Sequence, residues 1–166
     1  MDTIFQASAE AVGATVKRFT TTDDAVAYLA ELAAGEPVAA SALPSDLRVA
    51  LEGFAFAQPD SYPLTRTAVS YAHGGIAATG SLLIDLSDPA DRGAAALASV
   101  HAVFLRASSI VADLGAAKEA LETALSTPGR YISITSGPSR TADIERVLTI
   151  GVHGPKELHV LILEGA

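Results

Sequence analysis

The 166-residue sequence predicts a single α/β domain built on a largely parallel sheet. Strand-length apolar runs alternate along the chain with segments of helical periodicity. Hydrophobic residues make up 49% of the chain but aromatic residues only 5%, so small aliphatic side chains must form the interior. A chain of this length fits one core, which buries roughly 70% of the surface exposed on unfolding. We expect a loose arm or a short helix over residues 1–20 and one domain over residues 21–166.

The predicted helices begin and end at recognisable capping signals. The clearest helix follows Thr21, because residues 21–24 resemble a capping box and Gly35 is placed to end the helix. Three further helices are predicted to begin at Pro44-Ser45, at Ser87-Asp88-Pro89 and at Asp113, and the last of these ends at Thr127-Pro128-Gly129.

The predicted strands are short apolar runs bounded by turn residues. We expect them at residues 37–43, 68–72, 82–86, 100–105, 131–135 and 157–163. The second of these strands should end at His73-Gly74-Gly75, and Thr79-Gly80 should form another turn before the third. Neither glycine turn fits the full dinucleotide-binding fingerprint, so the sequence does not predict a nucleotide site.

The charge and hydropathy of the chain exclude several function classes. The net charge is −8 and the pI is about 4.8, and such a chain would be repelled by nucleic-acid phosphates. No signal-peptide pattern occurs, and no apolar run approaches the roughly 20 residues that span a bilayer. We therefore expect a cytoplasmic protein that binds neither nucleic acid nor membrane.

The absence of cysteine limits the redox chemistry of the chain itself. Without thiols it forms no disulfide and holds no thiolate-ligated iron–sulfur cluster. No flavin fingerprint is found, so we expect no bound cofactor and no visible absorbance. Any electron-transfer role would need partner subunits, and the Ala-rich helix faces leave room for a homodimer.

Polar chemistry concentrates between Arg130 and Gly165. The strand Tyr131–Thr135 is stopped by Gly137-Pro138, and the hydroxyls and acids that follow, up to Glu145, predict a short helix. A helix that begins after a strand presents unpaired backbone N–H groups to anions, and Arg140 would add a cation. In the alternative interpretation, Ser139 or Thr141 only caps this helix and Arg140 pairs with Asp143.

Two motifs in this region resemble the signature of the LUD-domain family, which is typified by lactate utilization protein C. They read Ser136-Gly-Pro-Ser-Arg-Thr-Ala-Asp-Ile-Glu145 and Gly151-Val-His-Gly-Pro-Lys-Glu-Leu-His-Val160. A weaker match, Ile76-Ala-Ala-Thr-Gly-Ser-Leu-Leu83, is similar to the family's Ile-Ala-Glu-Thr-Gly-Thr/Ser-Leu, with Ala78 in place of the glutamate. The resemblance extends from about residue 68 to residue 163.

The resemblance implies a three-layer Rossmann-like fold of the ribose-5-phosphate isomerase, glucosamine-6-phosphate deaminase and CoA-transferase type. Members of that fold bind anionic substrates in loops past the strand ends. We do not expect catalysis by a carboxylate in this chain, because Ala78 stands where the family has a glutamate. Local pattern and resemblance together predict an anion-binding site formed by Gly137, Pro138, Ser139, Arg140, Thr141, Asp143, His153 and Gly154, with Thr79 and Gly80.

The histidines and serines leave the chemistry of this site open. His101 and His159 lie in predicted strands, where we expect a backbone partner for each imidazole, whereas His153 lies in a glycine-flanked loop. His153, Glu157 and His159 do not supply three close ligands, so no metal site is predicted. A catalytic triad can be written from Ser136 or Ser139 with His153 and Asp143, but the sequence does not bring these residues together.

Two functions therefore remain open. In the first, the protein is a non-redox component of L-lactate oxidation to pyruvate, working with iron–sulfur partner proteins, as the family resemblance implies. In the second, it is a stand-alone small-molecule enzyme of the isomerase/CoA-transferase-like fold, acting on an anionic metabolite. Fold analogy does not establish a reaction, and neighbouring genes for iron–sulfur proteins or for a sugar-phosphate pathway would separate the two.

Overall fold

The computed structural model describes residues 1–40, 42–142, 148–150 and 154–165, with the backbone alone described at 140–142 and 148–150. The helices in these ranges are α1 Asp2–Ala11, α2 Thr22–Ala33, α3 Ser45–Ala50, α4 Pro89–Leu97 and α5 Leu114–Leu125. The strands are β1 Thr15–Phe19, β2 Val38–Ala40, β3 Thr67–Ile76, β4 Ser81–Asp85, β5 Val100–Arg106, β6 Ile110–Val111, β7 Ile132–Ser136, β8 Arg140–Ala142, β9 Leu148–Ile150 and β10 Glu157–Leu163.

Eight of these strands form one open sheet. Its main path has the order β1-β10-β5-β3-β4-β7, and β2 and β6 also pair with β3. Strands β1, β10, β5 and β3 run parallel, as do β2 and β6 beside β3. Only the β3–β4 and β4–β7 pairs of this sheet are antiparallel. The predicted α/β domain with a largely parallel sheet is confirmed.

Helices cover both faces of the sheet. Val103 of β5 packs in a cluster with Phe5 of α1, whereas the next residue, Phe104, packs in a second cluster with Leu29 of α2. All four side chains are completely buried. Because successive strand residues point to opposite faces, α1 and α2 lie on opposite sides of the sheet and the domain has three layers.

The helix caps follow the sequence signals. The Thr21 hydroxyl accepts a hydrogen bond from the Asp24 N–H, and the chain leaves α2 through left-handed Ala34 at φ 53°. Asp88 and Asp113 cap α4 and α5 through their carboxylates. Within the described parts of the chain, no helix is long and apolar enough to cross a membrane.

The first twenty residues contain a short helix, which was one of the two predicted alternatives, and also a strand of the sheet, which was not predicted. Helix α1 buries Phe5 and Ala9 completely, and β1 pairs in parallel with β10. Only Val16 of β1 is buried, so the local pattern is too polar to mark a strand. The strand forms because the edge of β10 satisfies its backbone groups.

The Gly74-Gly75 pair lies inside a strand and forms no turn. Strand β3 continues to Ile76, and its pairing with β4 shifts register between Ala72 and Gly74. A Cβ atom on Gly75 would lie 3.0 Å from the Phe5 ring, so α1 packs closely against the strand here. The second predicted turn, at Thr79-Gly80, does lie between β3 and β4.

The helix predicted after Gly137-Pro138 is wrong. Residues Arg140–Ala142 form β8, which pairs antiparallel with β9 at Leu148–Ile150. Thr141 and the residues of β9 include β-branched side chains, and pairing between the two segments satisfies backbone groups that a helix would otherwise bond internally. The capping signals were therefore overridden by a partner strand, and Asp143 lies outside the described residues.

Candidate ligand-binding site

A cavity of about 470 Å³ lies between β7 and α4, and we call it the β7–α4 cavity. Its wall combines hydroxyl groups, one arginine, one buried histidine and small apolar side chains. The lining residues are Leu86, Arg92, Ala95, Ala96, His101, Tyr131, Ser133, Ile134, Thr135, Ser136, Gly137, Pro138, Ser139, Gly154 and Pro155.

Two of the predicted motifs meet at this cavity. The Ser139 N–H donates a hydrogen bond of 2.9 Å to the Pro155 carbonyl. Gly154 adopts φ +93°, and a Cβ atom there would lie 3.0 Å from Ser139 Cβ. Gly137, Pro138, Ser139 and Gly154 therefore share one wall, although the Ser139 N–H is already bonded within the protein and is not presented to a ligand.

A chain of hydroxyl groups connects the third motif to the cavity. Strands β4 and β7 place Ser81 opposite Ser136. Their hydroxyl oxygens lie 2.6 Å apart, and the Thr79 hydroxyl lies 2.6 Å from that of Ser81. Ser136 lines the cavity, whereas Thr79 and Gly80 do not. Thr79 is thus connected to the cavity wall through the hydroxyl group of Ser81.

Close packing against the end of α1 explains why positions 80 and 137 are glycine, and no ligand is needed for this explanation. Both have positive φ angles, +63° and +68°. A Cβ atom on Gly80 would lie 2.2 Å from the backbone nitrogen of Ala9, and one on Gly137 would lie 2.3 Å from the Val12 carbonyl oxygen. Glycine is required at both positions because the carboxyl-terminal part of α1 crosses them in direct backbone contact.

Arg92 supplies the cation of the cavity wall. One terminal nitrogen donates to the Leu86 carbonyl at 2.7 Å and to the Ser87 carbonyl at 3.0 Å. The guanidinium also lies 5.6 Å from the centre of the Tyr131 ring. Among the described residues no carboxylate forms an ion pair with Arg92. The side chain is held in place by neutral groups, and its charge remains available to an anion.

The cation of the site was predicted at Arg140, and Arg92 was not among the predicted site residues. The side chains of Arg140 and Thr141 lie outside what the structure describes. The helix dipole disfavours a cation near the start of a helix, and Arg92 lies near the start of α4, which begins at Pro89. This unfavourable position was a weak indication that Arg92 has a role outside the helix.

His101 forms the most deeply buried polar part of the cavity wall. The residue is 2% exposed, and its Nε2 lies 2.8 Å from the Ser70 hydroxyl. Burial lowers the pKa of His101 from 6.5 to about 4, so the imidazole is neutral at pH 7. Its partner is a side-chain hydroxyl, where we expected a backbone group.

His159 also differs from expectation and lies away from the cavity. Its Nδ1 lies 2.9 Å from the Tyr28 hydroxyl, and its Nε2 lies 3.2 Å from the Glu157 carboxylate. The partners are again side chains, on the α2 face of the sheet.

A second cavity, of about 220 Å³, lies between α5 and the β4–β7 pair. His73, Asp85 and Arg130 contribute its polar groups. Burial, and then the charge of Arg130, lower the pKa of His73. Arg130 forms an ion pair with Asp85, which also accepts hydrogen bonds from Ser87. The cation of this cavity is neutralised, in contrast to that of Arg92.

The described residues contain no group of three carboxylates or histidines able to hold a metal ion. His153 and Asp143 fall outside the described residues, so the structure does not test whether they meet Ser136 or Ser139.

The fold and the cavity define an open-sheet α/β protein with a cation-bearing polar pocket beside its antiparallel edge. The chain belongs to the LUD-domain family, which matches residues 64–163 and thus every residue that lines the β7–α4 cavity. The predicted family is confirmed.

Three curated relatives each match more than half of the chain. Uncharacterized protein YkgG of Escherichia coli is 32% identical over 102 residues, which are 60% of this chain and 44% of the relative. A protein of Neisseria meningitidis is 32% identical over 94 residues, 57% of this chain and 40% of the relative. Lactate utilization protein C of Deinococcus radiodurans is 35% identical over 91 residues, 53% of this chain and 42% of the relative. The matches span less than half of each relative.

A solved structure supports the fold over nearly the whole chain. The crystal structure of a DUF162 family protein from Deinococcus radiodurans superposes with a TM-score of 0.71 and covers 97% of this chain and 94% of that protein. The two sequences are 16% identical, so this likeness concerns the fold.

Proposed function

We propose that this chain is a LUD-domain component of an L-lactate-oxidising system and that it binds a small carboxylate in the β7–α4 cavity. Membership of the family supports the proposal, as does the similarity to lactate utilization protein C of Deinococcus radiodurans. Because the sequence contains no cysteine, the chain offers no thiolate for an iron–sulfur cluster, and electrons would pass through iron–sulfur partner proteins.

The observation that carries the binding proposal is the cation of Arg92 on a hydroxyl-lined wall. The guanidinium is oriented by two backbone carbonyls, which leave its other N–H groups for a ligand. An arginine held in this way presents a pre-ordered pair of donors to a carboxylate. Ser133 and Thr135, whose hydroxyl oxygens lie 3.0 Å apart, add donors and acceptors on the β7 side.

Binding is tested by calorimetric titration of L-lactate and pyruvate into the wild type, Arg92→Ala and Arg48→Ala. Arg48 is the matched control, because its guanidinium also stacks on an aromatic ring, that of Phe56, but lines no part of this cavity. We expect Arg92→Ala to lose about 1.5–3 kcal/mol of binding free energy, roughly a 10- to 150-fold weaker affinity, and Arg48→Ala to bind as the wild type does. Equal affinities of all three proteins would exclude Arg92 from the site.

The role in lactate oxidation is tested in cells of the host organism. Deletion of the gene should abolish growth on L-lactate as the sole carbon source while leaving growth on pyruvate intact. Wild-type and Arg48→Ala copies should restore growth, and Arg92→Ala should not. Unimpaired growth of the deletion strain on L-lactate would refute this role even if the cavity binds a carboxylate.

The volume of the cavity favours a second candidate, a stand-alone enzyme acting on a larger anionic metabolite. A volume of about 470 Å³ lies within the roughly 300–1,000 Å³ that accommodates drug-sized ligands, which exceeds the need of a three-carbon acid. A thermal-shift screen of sugar phosphates and CoA esters, followed by a search for turnover of any ligand found, tests this candidate. Genes for a sugar-phosphate pathway beside this gene would favour it, whereas genes for iron–sulfur proteins would favour the first.

A further inference from the structure

We propose that His101 is a specificity-determining residue of the β7–α4 cavity, where its Nδ1 hydrogen-bonds a hydroxyl or carbonyl group carried by the anionic ligand. This inference rests on the proposed site. It adds to that site the second recognition point, and it names the class of ligand as an oxygen-substituted acid.

His101 lies on the wall of the cavity, on the same face of the sheet as residues of the hydrophobic core. His101 lies near the start of β5, at the register position opposite Ala68 of β3. Its neighbours two and four residues along the same face, Val103 and Leu105, belong to the hydrophobic core. An imidazole is thus buried on an apolar face, at a position that lines the β7–α4 cavity.

One of the two ring nitrogens of His101 is hydrogen-bonded within the protein. Nε2 is paired with the Ser70 hydroxyl at 2.8 Å, and this bond fixes the plane of the imidazole. Within the part of the chain that the structure describes, Nδ1 has no hydrogen-bond partner. Because His101 is buried, little water competes for Nδ1, so a ligand group that bonds this atom gains more than one that bonds an exposed atom.

The charge of the ring determines what kind of contact it can offer. Burial keeps the imidazole neutral at neutral pH, so it offers a directional hydrogen bond and no second positive charge. Arg92 and His101 therefore have different tasks, since the arginine attracts the anionic group and the histidine distinguishes ligands by their oxygen substituent. A site built to hydrogen-bond a substrate hydroxyl rejects the analogue that lacks it.

The test compares probes that differ only in oxygen substituents. L-Lactate and propionate form a three-carbon pair, and D-gluconate and hexanoate form a six-carbon pair for the larger cavity volume. Each is titrated calorimetrically into the wild type, His101→Leu and His101→Gln, with circular dichroism to verify folding. We expect the wild type to prefer the oxygenated member of at least one pair by ~10-fold or more. We expect His101→Leu to lose this preference while binding the deoxygenated acid within about twofold of the wild type, and His101→Gln to retain part of the preference.

A spectroscopic measurement on the wild type keeps the test independent of how the variants fold. With ¹⁵N-labelled histidine, the oxygenated acid should shift the Nδ1 resonance of His101, and the deoxygenated acid should leave it nearly unchanged. The role of His101 would be overturned if folded His101→Leu still preferred the oxygenated acid, or if that acid left the Nδ1 resonance unchanged. Either result would leave the Arg92 site in place. Failure of the wild type to bind any of the four acids would overturn this inference, and failure to bind L-lactate alone would overturn only the lactate proposal.

Discussion

The neutral, buried His101 should make the stability of the folded protein depend on pH in a defined window. Burial lowers the pKa of His101 from 6.5 in the unfolded chain to about 4 in the folded one. Between these values the unfolded chain binds a proton at this residue and the folded chain does not. The contribution of His101 to stability is therefore fully present above pH 6.5 and is lost as the pH falls toward 4.

The magnitude follows from the distance between the two pKa values. At about 1.4 kcal/mol for each pH unit, complete protonation in the unfolded state would remove about 3 kcal/mol of the free energy of unfolding by pH 4. Between pH 7.5 and pH 5.0 the loss should be about 2 kcal/mol, which is a large share of the stability of a typical domain.

The assay is urea unfolding at pH 7.5 and pH 5.0 of the wild type, His101→Gln and Val103→Ala. Glutamine does not titrate, so the stability difference between the wild type and His101→Gln should shrink by about 2 kcal/mol at the lower pH, while contributions of the other titratable groups cancel. Val103→Ala is the control, because this completely buried neighbour has no titratable group and its cost should be the same at both pH values. If the wild type and His101→Gln lose equal amounts of stability from pH 7.5 to 5.0, the lowered pKa of His101 in the folded protein is refuted.

Three further predictions concern local structure, each measured by chemical denaturation. Gly80→Ala should lower the free energy of unfolding by more than ~3 kcal/mol, because a Cβ atom would lie 2.2 Å from the Ala9 nitrogen. Gly35→Ala is the control: with φ +79° and open space around it, this variant should lose only about 1–2 kcal/mol. Equal losses would contradict the close contact between Gly80 and α1. Ser81→Ala should cost about 1–3 kcal/mol, since this buried hydroxyl bonds two others, and a neutral substitution would show that the hydroxyl chain contributes nothing. Thr21→Ala should cost about 1 kcal/mol through loss of the α2 cap, and Thr21→Ser should recover most of it; failure of serine to do so would mean that the methyl group, not the hydroxyl, matters.

Local sequence patterns correctly predicted those helices and strands that are determined by their own residues. The closing strand was predicted over residues 157–163 and is observed as Glu157–Leu163, because a short, mostly aliphatic segment that follows Gly154-Pro155 favours a buried strand. The start of α2 was predicted from Thr21 because a cap acts within one turn of its helix. The motifs between Ser136 and Val160 also predicted the family and, through it, the three-layer fold.

The tertiary structure decided the features that depend on residues far apart in the chain. β1 exists because β10 lies beside it, and β8 replaced a predicted helix because β9 pairs with it. The cavity combines Arg92 of α4 with Ser136 of β7, more than forty residues later, because the antiparallel β4–β7 pair brings them to one edge of the sheet. Backbone pairing and packing between distant segments carry free energies as large as local propensities, and local patterns contain no record of them.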